Sequence, residues 1–349
     1  MPEPRVLIVA PNWLGDAVMA LSALADVRRA FPASRLIVAA RPSVAPLYAM
    51  VPGVDGTIVT EWRGSLRNRQ SLANDVERVR AEQIDLAILF PNSFASAWGL
   101  HRAAVQQRWG YAADLRRPLL TRAIKRPGGS RHQGAYYQYL VRQLGIPNGP
   151  LEPSLSIPAA AVEEARALLA ARGWTGSRPL LVVAPGAAYG TAKRWLPGYF
   201  AALVTRAIQE TGAHGVIVGT AADADAAHMV LASMNASDRA SVSDLTGATT
   251  LQTLAGVMSL AAACVSNDSG AMHIAGAAGT PLAALFGPTR DRETAPLTRH
   301  GGRADVLFNQ VWCRPCMLRE CPIDHRCMKG LRPERVFESV RVLMQTRSS

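Results

Sequence analysis

Asp16, Lys193, Asp268 and His273 are the side chains whose setting allows chemistry, each following a short apolar run. A carboxylate beside a helix start can take a proton from a hydroxyl. A lysine behind a glycine-rich turn can hold an anion, with backbone N–H groups as further donors. Asp268 stands in Ser266-Asn267-Asp268-Ser269-Gly270, between the apolar run Leu260 to Val265 and the small residues Ala271 to Ala278. Lys193 ends Pro185-Gly186-Ala187-Ala188-Tyr189-Gly190-Thr191-Ala192-Lys193, which follows Leu180 to Ala184. Asp16 follows Val6 to Ala10 through Pro11-Asn12-Trp13-Leu14-Gly15. Helix starts of this kind favour phosphate-like anions through free N–H groups and the helix dipole. Each residue also has a plainer role open to it. Asp16, Asn267, Asp268 and Ser269 are types that cap helices, and His273 suits a satisfied, half-buried position.

The apolar runs read as buried strands that position these residues. Ala271 to Ala278 reads as a helix closed by Gly279 and Pro281, and Leu282 to Phe286 as the next strand, ended by Gly287-Pro288. This places the polar residues at a strand's carboxyl end, where open α/β sheets bind ligands. The amino terminus repeats the plan. Val6 to Ala10 is a strand, Ala17 to Phe31 a helix with Val18, Leu21, Leu24 and Val27 at helical spacing, and Leu36 to Ala40 a second strand. The GxGxxG fingerprint is missing there, and the turn at Lys193 lacks the GKS/T ending of a Walker loop. Further strands are expected at Gly56 to Val59, Leu86 to Phe90 and Gly215 to Gly219. Helices are expected at Ala73 to Gln83, His132 to Leu144 and Ala160 to Arg172. The basic stretch after Tyr111 gives no clear element. Gly145 to Pro153 reads as a linker. Pro333 opens a last helix with Val336, Val340 and Leu343 on one face. The pattern predicts an α/β protein of two Rossmann-like, doubly wound domains, 1–150 and 151–332, with a closing helix over 333–349.

A chain of 349 residues with 49% apolar residues can fill two cores. Its net charge of +12 calls for an acidic partner, and the basic residues crowd the first half. They include Arg63, Arg67, Arg69, Arg78, Arg80, Arg102, Arg108, Arg116, Arg117, Arg122, Lys125, Arg126 and Arg131. Base-stacking aromatics are sparse among them, so no nucleic-acid partner is expected, and a phosphorylated lipid at a membrane surface fits better. The opening MPEPRVLIVAP lacks the features of a secretory leader, and no apolar run reaches bilayer-spanning length; a cytoplasmic protein is expected.

Cys313, Cys316, Cys321 and Cys327 cluster around His325. Four thiols so close can hold Zn²⁺ or an iron–sulfur cluster, and can equally be reduced thiols in a compact loop. Stable disulfides are disfavoured in a reducing cytosol.

Longer stretches carry a resemblance. DSGAMHIAGAAGTPLAALFGPT resembles the nucleotide-sugar motif of glycosyltransferase family 9, the lipopolysaccharide heptosyltransferases. PNWLGDAVMALSAL and PGAAYGTAKRWLP are similar to two other motifs of that family, and CRPCMLRECPIDHRCMKGLRPERV looks like the tail of one of its branches. The resemblance implies a GT-B fold, with an acceptor-binding first domain and a nucleotide-sugar-binding second domain facing a central cleft. By analogy the closing helix packs back on the first domain. It further implies inverting transfer of heptose from ADP-heptose onto the first heptose of the lipopolysaccharide inner core. In that scheme Asp16 is the base and Lys193 acts at the donor phosphate. Tyr189, Gly190, Thr191, Asp268, Ser269, Gly270 and His273 complete the donor site. No acidic pair is spaced to hold a divalent ion at the diphosphate, so no cofactor is expected for catalysis, and a structural metal at the cysteines stays open. The lipid acceptor places the protein peripherally at the inner membrane of a Gram-negative bacterium. The alternatives are a sister heptosyltransferase acting on another acceptor position and a metal-binding, nucleic-acid-interacting module.

Overall fold

A computed structural model describes residues 4–62, 69–299 and 301–345, with the backbone alone for Arg69. Arg63, Arg67 and the Arg69 side chain, named above among the basic residues, lie outside the described part. The chain divides into two compact units, Met1–Ser156 and Ile157–Ser349.

The first unit is built on β1 (Arg5–Val9), β2 (Arg35–Ala40), β3 (Gly56–Val59), β4 (Leu86–Leu89), β5 (Gln107–Tyr111) and β6 (Arg122–Ile124), in the order β3-β2-β1-β4-β5-β6. Every pairing is parallel, with Val6 opposite both Leu36 and Leu86. Val6 to Val9 are wholly buried, as a strand covered on both faces requires. The second unit has β7 (Leu180–Ala184), β8 (His214–Ile217), β9 (Val242–Asp244), β10 (Ala263–Asn267), β11 (Leu282–Phe286) and β12 (Ala304–Phe308), ordered β12-β11-β10-β7-β8-β9. Its pairings are parallel as well. Counted from each unit's own first strand, both sheets follow the order 3-2-1-4-5-6. Two Rossmann-like, doubly wound units are thus what the apolar runs build.

Several boundaries differ from the sequence reading. The run Ala17 to Phe31 forms two helices, Leu14–Met19 and Leu21–Ala30, with Ala20 as their junction. Asp16 therefore lies in a helix's first turn, not ahead of it. β10 begins at Ala263, because Leu260 is spent as the last residue of the Leu251–Leu260 helix, whose start Thr250 caps. The unassigned basic stretch contains a short turn of helix, Arg117–Leu119, and edge strand β6. The closing helix, Pro333–Gln345, sets Val336, Phe337, Val340 and Leu343 into the second unit's core beside Phe200 and Leu285. Its apolar face is committed there, where analogy had sent it to the first unit. Among the described residues no helix is long and apolar enough to cross a membrane.

Candidate active site

In the first unit, β1 delivers the chain at its carboxyl end into the Leu14–Met19 helix. Trp13 precedes that helix in extended conformation and supplies no side-chain cap, so the helix start keeps N–H groups available. Asp16 is half-buried in the first turn, where the positive end of the helix favours its charge. It lies within electrostatic reach of Tyr137, a buried residue of the Gln133–Gln143 helix. Burial, and after it the Asp16 charge, push the Tyr137 hydroxyl well above the ordinary tyrosine range. On the neighbouring strand end, Asn92 Nδ2 donates to the Tyr136 hydroxyl at 3.1 Å.

The second unit assembles a polar pocket from three strand ends. Asn267 ends β10, and its buried side chain ties down the glycine-rich turn. Its Oδ1 accepts from the Trp195 N–H at 3.0 Å and its Nδ2 donates to the Pro185 carbonyl at 2.8 Å. Asp268 is 5% exposed; its Oδ2 accepts from Lys193 Nζ at 2.7 Å and from Thr289 Oγ1 at 2.7 Å. Lys193 Nζ also lies 3.4 Å from the Asp268 carbonyl and 4.8 Å from the centre of the Tyr189 ring. The lysine is thus held in place by a carboxylate, with donor capacity left for a further anion. Ser269 precedes the Gly270–Ala278 helix in extended conformation, and its side chain caps nothing. Asn267, Asp268 and Ser269 therefore do not serve as a conventional cap: the first two face the glycine-rich turn, and the helix start keeps its N–H groups. His273 is buried within this helix, at 3% exposure. Gly279 closes it in the left-handed region at φ 79°.

Tyr189, Gly190 and Thr191 lie on the turn beside Lys193, with Thr191 exposed. The turn is braced by the cysteine-bearing segment. Ala192 N–H donates to the Arg319 carbonyl at 2.9 Å, His325 Nε2 donates to the Ala192 carbonyl at 2.7 Å, and Tyr189 Oη donates to the Met317 carbonyl at 2.8 Å. A Cβ on Gly190 would meet the Arg319 carbonyl oxygen at 2.3 Å, so only glycine lets the two backbones pass. Arg314 from the same segment pairs with Asp291 at 2.6 Å and donates to the Gly287 carbonyl at 3.0 Å, fixing the turn that carries Thr289. Asp223 forms a capping box with Thr220, and its carboxylate abuts Gly186.

Cys313, Cys316, Cys321 and Cys327 line one small cavity with His325. Burial pushes the Cys327 thiol up, and the other three cysteines add to the effect. Among the described residues no group of three or more His, Cys, Asp or Glu is arranged to hold a metal ion, and all five cysteines are free thiols.

Three positions go beyond the candidates read from the sequence. Thr289 lies inside the quoted FGPT stretch, yet only the fold shows its hydroxyl on Asp268. Arg314 and Arg319 carry no local signal, since their partners, Asp291 and the Gly287 carbonyl for the first and the Ala192 N–H for the second, are distant in sequence.

The model of glycosyltransferase family 9 (heptosyltransferase) matches residues 74–326. The chain is 30% identical to the lipopolysaccharide heptosyltransferase 2 of Salmonella typhimurium, over 97% of this chain and 98% of that one. It is 28% identical to the lipopolysaccharide heptosyltransferase 1 of Pseudomonas aeruginosa, over 91% and 87% of the two chains. Its fold is similar to that of Escherichia coli ADP-heptose lipopolysaccharide heptosyltransferase II, with a TM-score of 0.84, 26% identity, and coverage of 99% of this chain and 100% of that one. With a family model spanning most of the chain and a near-full-length relative at this identity, the protein belongs to glycosyltransferase family 9, the heptosyltransferases.

Proposed function

We propose that this enzyme moves heptose from ADP-heptose onto the first heptose of the lipopolysaccharide inner core, with inversion at the anomeric carbon. The observation that carries the reading is the Lys193–Asp268 pair at the uncapped start of the Gly270–Ala278 helix, in a chain similar along its length to the heptosyltransferase 2 proteins. That arrangement suits the diphosphate of a nucleotide-sugar.

The reaction needs a proton removed from the acceptor hydroxyl and negative charge stabilised on the departing ADP. Asp16 takes the proton. A carboxylate whose ordinary pKa is about 3.9 does not ionise a sugar hydroxyl beforehand, so the transfer is concerted with attack. Lys193 and the N–H groups at Ser269 and Gly270 stabilise the leaving phosphate, each such donor contributing about 3 kcal/mol. Asp268 and Thr289 hold the lysine, while Tyr189, Gly190 and Thr191 shape the turn and His273 lines the helix start. Lysine and helix dipole together supply the countercharge, so the transfer needs no metal. The acceptor is a membrane lipid, which puts the enzyme peripherally at the inner face of the membrane. The likeness to a heptosyltransferase 1 keeps a second reading, transfer from the same donor to another acceptor position.

The test is incubation with ADP-heptose and a truncated, heptose-bearing lipopolysaccharide, read by mass spectrometry. A one-heptose increment is expected. An increment only on acceptors lacking heptose favours the sister activity, and none on either sinks the proposal.

A further inference from the structure

Among the described residues of the first unit, the large apolar side chains left in solvent are Trp13 (60% exposed), Val59 (44%), Phe94 (46%) and Leu115 (92%). Each lies at or just past the carboxyl end of a strand: β1, β3, β4 and β5 respectively. In a parallel sheet these ends form one edge, with neighbouring strands about 4.8 Å apart, and β1, β4 and β5 are consecutive. Asp16 lies on this edge too. Singly exposed apolar residues are ordinary, but a set gathered on one edge marks a surface that meets something.

Leu115 is displayed by construction. Asp114 (φ 50°) and Leu115 (φ 59°) both adopt the left-handed region that bulky residues avoid. The next residue, Arg116, is completely buried and pins the loop, its guanidinium donating to the carbonyls of Tyr111 and Pro91. With Arg116 drawn inward, Leu115 is turned out. Exposed cations flank it: Arg117 on the same loop, and Lys125 and Arg126 just past β6, the strand beside β5. No ion pair engages these three among the described residues. The second unit also exposes apolar residues, Trp312, Met317, Leu318 and Ile323. Among the cations near them, Arg314 is committed to Asp291, Arg326 to Asp324 and Arg319 to the Tyr189 ring.

We propose that this edge of the first unit docks on an anionic lipid bilayer, with Leu115 inserted as the anchor and Arg117, Lys125 and Arg126 set against the headgroups. The proposal deepens the reading above and rests on its membrane-borne acceptor: docking here would hold Asp16 close to the sugars rising from the lipid surface.

The test is sedimentation of the full chain with vesicles of phosphatidylglycerol or of phosphatidylcholine, for wild type, Leu115→Ser and the double variant Lys125→Glu/Arg126→Glu. Wild type should pellet with the anionic vesicles and not with the neutral ones. Leu115→Ser should lower the partition coefficient roughly 10- to 100-fold, the worth of one buried leucine. The double variant should lower it at least as much, and added salt should weaken wild-type binding. The Leu115→Ser initial rate on a deacylated, water-soluble acceptor should match wild type. Wild type that ignores anionic vesicles, or variants that bind them like wild type, would overturn the proposal. So would a lipid-free dimer, seen by light scattering and lost in Leu115→Ser, since a second copy would then cover the edge. Transfer to the soluble acceptor reads the enzymatic proposal separately, so either can fail while the other stands.

Discussion

Replacing Thr289 with valine keeps the side chain's volume and removes one hydroxyl whose partner is known. That hydroxyl donates at 2.7 Å to the same Asp268 oxygen that holds Lys193 at 2.7 Å, and Thr289 is 4% exposed. A hydrogen bond to a charged group contributes about 1.5–3 kcal/mol, and water cannot readily replace it at such burial. With the hydroxyl gone, Asp268 keeps only the lysine, and the pair can swing together away from the diphosphate. If the full loss falls on donor recognition, kcat/KM for ADP-heptose should drop roughly 10- to 100-fold, at about 1.4 kcal/mol per factor of ten. KM for the acceptor should stay near wild type. Thr289→Ser, which restores the oxygen, should recover most of the loss. The assay is steady-state transfer with each substrate varied in turn, beside a thermal melt for each variant. A valine variant within twofold of wild type on the donor, or one that melts early while its kinetics at 25 °C are intact, would refute the positioning role of Thr289.

Asp16→Ala should lower turnover about 10²- to 10⁴-fold with ADP binding unchanged by calorimetry, as expected for loss of a general base. Lys193→Ala should weaken ADP binding and also slow turnover roughly 100-fold, in proportion to one lost oxyanion donor of about 3 kcal/mol. Gly190→Ala forces a Cβ against the Arg319 carbonyl; overpacking of this kind costs about 1–3 kcal/mol, so the melt should fall by roughly 2–10 °C with donor affinity reduced. His214 is buried against Ser243, and burial first, then Arg178, lower its pKa. The unfolded chain therefore takes up the proton first: this site's stability is complete above about pH 6.5 and declines as pH falls below it. The wild-type melting temperature should drop relative to that of His214→Gln between pH 7 and pH 5, as read by scanning calorimetry.

The central strands were legible because they are buried on both faces and bounded by glycine, proline and polar clusters. Leu180–Ala184 and Leu282–Phe286 stand where the sequence reading put them, and so does one edge strand, Gly56–Val59, of which only Ile58 is buried. Two other edge strands were not legible. Arg122–Ile124 is largely exposed, and in the half-buried Ala304–Phe308 the charged Asp305 interrupts the apolar residues. The closing helix illustrates a different limit. Its apolar stripe announces that one face is buried, but periodicity does not name the surface that receives it. At the pocket, residue type and turn position singled out Lys193 and Asp268. The hydroxyl of Thr289 and the carbonyl of Arg319 were beyond reach, because their partners are 21 and 127 residues away (289 − 268 and 319 − 192).

Both main-chain polar groups of Ala192 are consumed by the cysteine-bearing segment, one by Arg319 and the other by His325. The shape of the glycine-rich turn is thus templated by a segment more than a hundred residues later in the chain, through contacts internal to the protein. Little ordering entropy remains for the nucleotide to overcome, so its affinity should owe more to rigidity than to induced fit. The Ala192 amide should exchange slowly with deuterium in the ligand-free enzyme. A chimera that exchanges residues 312–327 with those of a relative should carry the recipient's nucleotide affinity toward that of the donor chain.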